Sequence, residues 1–232
     1  MAKIKEFTGF SEDTLNFFQD LSENNNRDWF LANKKRYESV VREPSKSFVV
    51  AMVDRFVGAG LPYIGDVKKS LFRINRDIRF SPNKDPYKTN MGAFFPFSVG
   101  QMEKKPVEAL GLYFHFDLND TFIAGGIHMP VSPVLKAIRE RLSEDHEEFR
   151  ELIKDKKLNK EFSQLLWGDK LKGMPRGFKK GHPAEDLLKM KEFTFVDNIK
   201  FEDTYSTALL DKMTQKAEVL LPVLEFLDEA IK

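Results

Sequence analysis

Residues 112–128 constrain the fold more than any other stretch. Leu112, Phe114, Phe116 and Leu118 alternate with Tyr113, His115 and Asp117, and Asn119-Asp120 supplies two-residue turn chemistry before residues 121–128. A period of two with one apolar face is the pattern of a half-buried strand, and the turn makes it half of a hairpin, so antiparallel sheet is expected. Counting outward from Leu118 opposite Thr121 sets His115 against Ala124 and Tyr113 against Gly126, which predicts a depression lined by small residues on that face.

The flanks of this hairpin read differently. Ser11 with Glu12, Asp13 and Thr14 marks a helix start, and Leu15, Phe18 and Leu21 continue at helical spacing as far as the asparagine run 24–26. Those asparagines cap a second helix carrying Trp29, Phe30, Asn33, Tyr37 and Val40. Pro44 opens a third, with Phe48, Met52, Val53 and Phe56. From Leu71 the period changes to two: Phe72, Ile74, Ile78 and Phe80 alternate with Arg73, Asn75, Asp77 and Arg79, which predicts a strand, and residues 91–99 read as another. Beyond Pro133 the spacing predicts helices over 135–142, 147–153 and 162–166, a loop over 168–183 and a short strand over 193–196. A closing helix follows, with Leu209, Leu210, Met213, Ala217, Leu220, Leu224 and Leu227 as its apolar stripe. The expected class is α+β: a single domain over 1–232, with a mostly antiparallel sheet packed against helices, a helical N-terminal section and a C-terminal helix.

Composition enters by what it excludes. A chain without cysteine has no disulfide framework, thiolate metal site or cysteine nucleophile, and it suits a reducing compartment, so the cytoplasm is the expected location. No secretory leader and no membrane span is apparent. With a net charge of +1 over 232 residues the chain is no polycation, yet residues 68–90 hold seven Lys and Arg against two Asp, a local charge of +5.

That segment carries the functional expectation. On a regular strand Arg73 and Arg79 share one face and Arg76 takes the other. Guanidinium groups with Lys84 and Lys88 from the following turn suit a phosphate or carboxylate. The first reading is a small-molecule site, binding or enzymatic, in which Arg73, Arg79, Lys84, Tyr87 and Lys88 contact an anion and His115 or Tyr87 exchanges protons with it. Against it stands a structural reading in which Arg76 is buried beside a carboxylate such as Asp117 and the other cations are solvated. A nucleic-acid module, with the same cations on a backbone, is the alternative; a structural or interaction domain without a small ligand is a third. The near-neutral total charge weighs against nucleic acid. His115, Asp117 and His128 form the sole metal-like combination, and a hydrogen-bonded structural role is the preferred reading, so no metal and no cofactor is expected. Gly125-Gly126 is too short for a phosphate loop, and no nucleotide-binding or zinc-hydrolase motif is present.

With these residues in view, the chain resembles an uncharacterised family of conserved hypothetical proteins of bacteria and fungi, domain of unknown function family 2461. The likeness rests on N-N-x-R-x-W-F around Asn25, Arg27, Trp29 and Phe30, and on R-x-x-R-D-x-R-F-S-x-x-K-x-P-Y-K-T from Arg73 to Thr89. It also rests on Gly125-Gly126 with Met129-Pro130, and on G-F-x-x-x-H-P at Gly177, Phe178, His182 and Pro183, followed by Lys191 and Phe193. Asp85 stands where the family usually has threonine, and His128 where it commonly has an aromatic residue. The resemblance implies a single domain and no established activity, so it supplies no catalytic residues.

Overall fold

In a computed structural model, residues 4–79, 82–98 and 110–232 are described. Phe80 and Val99, which belong to the expected strands, and Ser81, which opens the expected turn, lie outside those residues. The fold is α+β. Five antiparallel strands, β1 (Asn90–Pro96), β2 (Leu110–Asp117), β3 (Thr121–Ile127), β4 (Gln164–Trp167) and β5 (Phe193–Asn198), form one sheet in the order β1-β2-β3-β5-β4. Two compact units are distinguished: Met1–Phe95 with Tyr113–Ile123 and Asn198–Thr214, and Pro96–Leu112 with Ala124–Asp197 and Gln215–Lys232.

The first unit is built on phenylalanine. Helix α1 (Glu12–Glu23) buries Phe17, Phe18 and Leu21. Asn26 caps α2 (Arg27–Ala32) by accepting from Trp29 N–H at 3.0 Å. The short α3 (Lys34–Tyr37) runs into a π turn over Glu38–Arg42 and then into α4 (Glu43–Gly58), after which comes the one-turn α5 (Val67–Ser70). A proline in this path lacks an N–H and crowds the carbonyl four residues back; the widened turn just ahead of Pro44 accommodates both, so the chain stays helical where a fresh start was expected. Against these helices lies one face of the strands: Phe48 packs on Phe95 and Phe114, and Phe18 and Phe10 pack on Phe116. The alternate residues of β2, Tyr113, His115 and Asp117, therefore project from the other face.

In the second unit, the expected helices after Pro133 are one, α6 (Ser132–Ile153), broken only by the non-helical Asp145. A helix expected over 162–166 is instead the end of α7 (Lys156–Glu161) followed by β4, which pairs with β5 through Gln164↔Val196 and Trp167↔Thr194. Leu166, at φ 52°, marks the irregularity in that pairing. Phe149 packs on Phe193 and on Phe226 of α9 (Ala208–Ala230). The glycine pair serves packing here: a Cβ on Gly125 would lie 2.1 Å from Leu220 Cδ2, and one on Gly126, at φ 120°, 2.0 Å from the Phe193 carbonyl oxygen.

Candidate functional site

The described residues 71–79 do not form the expected strand. They make two isolated antiparallel bridges, Leu71↔Ala93 and Asn75↔Tyr87. Phe72 N–H donates to Gly92 C=O (3.1 Å), Lys88 N–H to Ile74 C=O (2.8 Å) and Arg76 N–H to Pro86 C=O (2.9 Å), so the segment doubles back on itself beside β1. Phe72 and Ile78, read as the buried face, are 54% and 42% exposed. Alternation produces a strand only when a second layer covers the apolar face, and among the described residues this face has none.

The doubling-back is anchored from sixty residues upstream. Asn25 Nδ2 donates to Tyr87 C=O (3.0 Å), and Tyr87 N–H donates to Asn25 Oδ1 (3.1 Å). The Tyr87 ring is buried and stacked on Phe30, with centroids 4.1 Å apart. The asparagine run thus caps a helix through Asn26 and clamps one remote peptide through Asn25. Tyr87 is held as core and does not line the cavity described next.

This fold sets Lys88 and Arg76 into a cavity of about 310 Å³ on the sheet face away from the phenylalanine core. Its walls are Phe72, Arg76, Lys88, Thr89 and Asn90, with Gly92, Tyr113 and Asp117 from the strands. Arg76 Nη2 reaches Tyr87 C=O at 3.4 Å, while its Nε is buried with no hydrogen-bond partner. Neither Arg76 nor Lys88 is within ion-pair distance of a carboxylate among the described residues. Burial pulls the Lys88 pKa down, and the positive charges of Arg73 and Arg76 pull it further.

The remaining expected contacts are distributed elsewhere. Arg79 is exposed and grips Asp77 through both Nε (3.0 Å) and Nη2 (2.7 Å). Lys84 is exposed and donates to Ile78 C=O at 2.9 Å. Arg73 is exposed and touches the cavity only through its charge on Lys88. Arg76, expected either on the wrong face or in a core ion pair, is instead a cavity residue. The sequence held no signal for that, because a strand was the wrong template for its side chain.

Behind the cavity runs a short hydrogen-bond chain. Asp117 N–H donates to Asp120 C=O (2.8 Å), and Asp117 Oδ1 accepts from the N–H groups of Asn119 and Asp120 at 2.7 Å each. Asp117 and Asp120 therefore close the turn in place of Leu118 and Thr121. Phe122 stacks on His115 with centroids 4.7 Å apart, where a depression was expected. The Oδ2 of Asp117 lies 3.4 Å from His115 Nε2; His115 Nδ1 lies 2.9 Å from Tyr113 Oη and 3.4 Å from Asn90 Nδ2. A carboxylate at Nε2 and two donors at Nδ1 select the Nε2–H tautomer, with Tyr113 donating to Nδ1. Burial lowers the His115 pKa despite the opposing pull of Asp117, and burial together with Asp117 pushes Tyr113 up to about 12. At neutral pH both rings are uncharged, and the phenol hydrogen stays on Tyr113, held toward His115 Nδ1.

His128, from the metal-like combination, and His182, from the G-F-x-x-x-H-P motif, are each held by protein partners. His128 Nδ1 bonds Glu192, whose side chain is nearly buried. His182 Nδ1 accepts from Ala184 N–H at 3.0 Å at the start of α8 (Glu185–Leu188), while Arg150 ties Asp186 and the Pro183 carbonyl. Among the described residues no group of three or more His, Asp and Glu side chains is placed to hold a metal ion, and no helix is long and apolar enough to cross a membrane.

Residues 13–226 match the family described as conserved hypothetical protein DUF2461. The chain belongs to that family. Two of the DUF2461 motifs read in the sequence meet in space: the asparagine motif clamps Tyr87 of the Arg/Lys motif and so places Lys88. No curated protein and no solved structure matches the chain.

Proposed function

We propose that the cavity beside β1 binds a small anion, a phosphate or carboxylate, through Arg76 and Lys88. The observation that carries this is two cations in one cavity with no carboxylate ion-paired to either among the described residues. Burial first, and then the charges of Arg73 and Arg76, lower the Lys88 pKa, and a bound anion offsets both effects. The buried Arg76 Nε is a donor in need of an acceptor, and a planar guanidinium suits a two-oxygen group. Asp117 also faces the cavity, but one oxygen is held by two backbone N–H groups and the other by His115, so it acts as an acceptor for a ligand hydroxyl. Tyr113, whose hydroxyl hydrogen is directed to His115, presents its oxygen as an acceptor to what binds. The reading keeps Lys88 from the sequence expectation, adds Arg76, and leaves Arg79 and Lys84 outside. For a cysteine-free chain a reducing cytoplasm is the proposed setting.

Calorimetric titration with inorganic phosphate at low ionic strength tests it. Lys88→Met is expected to weaken binding by about tenfold or more, and Arg79→Ala to stay within about twofold. Absence of binding by both inorganic phosphate and acetate at millimolar concentration, or an unchanged phosphate affinity in Lys88→Met, overturns the proposal.

A further inference from the structure

We infer that the anion this cavity takes is carried on a flat ring: an aryl or nucleobase-bearing phosphate or carboxylate. The inference rests on the anion reading above and adds the part of the ligand that the cations do not contact.

Phe72 is the starting observation. A single exposed apolar side chain is ordinary on a protein surface. Phe72 differs in three respects. Its backbone is fixed, since its N–H bonds Gly92 C=O and the neighbouring Leu71 bridges Ala93, so the ring is held at the sheet edge while 54% exposed. It forms one wall of the cavity, edge-on to Tyr113 with centroids 5.7 Å apart and planes at 64°. And the Lys88 ammonium lies 5.5 Å from its centroid, so the ring and the cation are adjacent parts of one surface.

Gly92 makes that arrangement possible. A Cβ there would sit 2.6 Å from Tyr113 Oη and 2.8 Å from Phe72 Cδ2, so any other residue would displace the two rings that frame the cavity. Two aromatic walls over a bare strand, with cations at one end, match a ligand with an apolar plane and an anionic end. The volume of about 310 Å³ is at the small end of metabolite sites, enough for one ring system and its charged group.

The test compares ligands on the full chain by calorimetry: inorganic phosphate, phenyl phosphate, acetate, benzoate and adenosine monophosphate. Phenyl phosphate is expected to bind about tenfold tighter than inorganic phosphate, and benzoate tighter than acetate by a similar factor. Phe72→Ala, a change at an exposed side chain, removes that advantage and leaves inorganic phosphate within about twofold. Adenosine monophosphate binding tighter than phenyl phosphate assigns the ring to a nucleobase, and weaker binding assigns it to an aryl group. Equal affinity for phenyl phosphate and inorganic phosphate in the wild type overturns the ring inference while leaving the anion site standing. Equal loss of both in Phe72→Ala also overturns it, because the ring then serves only to hold Lys88. Failure of every ligand to bind removes the anion reading itself.

Discussion

Asn25→Ala is the most informative perturbation, because it separates a clamp from a cap within one run of three asparagines. Asn25 makes two hydrogen bonds to the Tyr87 peptide, at 3.0 and 3.1 Å, across 62 residues of chain. Each is part-buried and contributes about 1 kcal/mol net, with more lost where a partner is left unsatisfied. The Tyr87 carbonyl keeps Arg76 Nη2 at 3.4 Å, so only the N–H is fully orphaned. The expected loss is therefore about 2 kcal/mol, a fall of about 4–8 °C in Tm for a chain of this size. The neighbouring Asn24 is exposed and its side chain donates to Asp20 C=O at its own helix end, so Asn24→Ala is expected to cost under about 0.5 kcal/mol. Thermal melts of the three proteins, with amide exchange at Tyr87, make the measurement. Because Lys88 follows Tyr87 directly, phosphate affinity falls with the clamp. A melting point for Asn25→Ala within about 1 °C of wild type, or an unchanged exchange rate at the Tyr87 amide, refutes the reasoning.

Two further outcomes follow from the packing. Burial, against the pull of Asp117 and Asp120, sets the folded pKa of His115 below the unfolded value of about 6.5. The unfolded chain therefore takes up a proton first, and stability that is complete above that value declines as pH falls below it, until the folded pKa is passed. His115→Gln flattens this decline in urea titrations, and an imidazole signal of His115 titrating at or above 6.5 by NMR contradicts the account. At Gly126, φ of 120° and a Phe193 carbonyl 2.0 Å from the added Cβ make Gly126→Ala lose more than about 2 kcal/mol. Gly60→Ala, at φ 67° with open space, loses about 1 kcal/mol. Equal melting points for the two variants discount the packing argument.

Where local chemistry and burial agree, the sequence is legible. Ser11 and Asn26 begin helices because their neighbours carry apolar residues at helical spacing that a sheet face then covers. The alternation of residues 112–116 becomes β2 because Phe114 and Phe116 find Phe10, Phe18 and Phe48 against them. The same alternation over residues 72–78 has no covering layer among the described residues and is held by isolated bridges. Residues 162–166 read as helix in isolation, yet 164–167 are strand because β5 offers an edge. Local pattern reports what a segment can bury; it does not report whether a partner surface is present.

The candidate site divides along the same line. From the sequence alone came the α+β class, the DUF2461 likeness and the concentration of positive charge near Lys88. Tertiary structure alone decided which cations share a cavity: Arg79 turns to Asp77, Lys84 to Ile78 C=O, and Arg76 comes in beside Lys88. It also joined Tyr113, His115 and Asp117 into one hydrogen-bonded chain and exposed Phe72 above Gly92. The physical reason is range. Charge and periodicity are properties of neighbours in the chain, whereas the direction of Arg76 depends on a peptide held by Asn25 from 62 residues away.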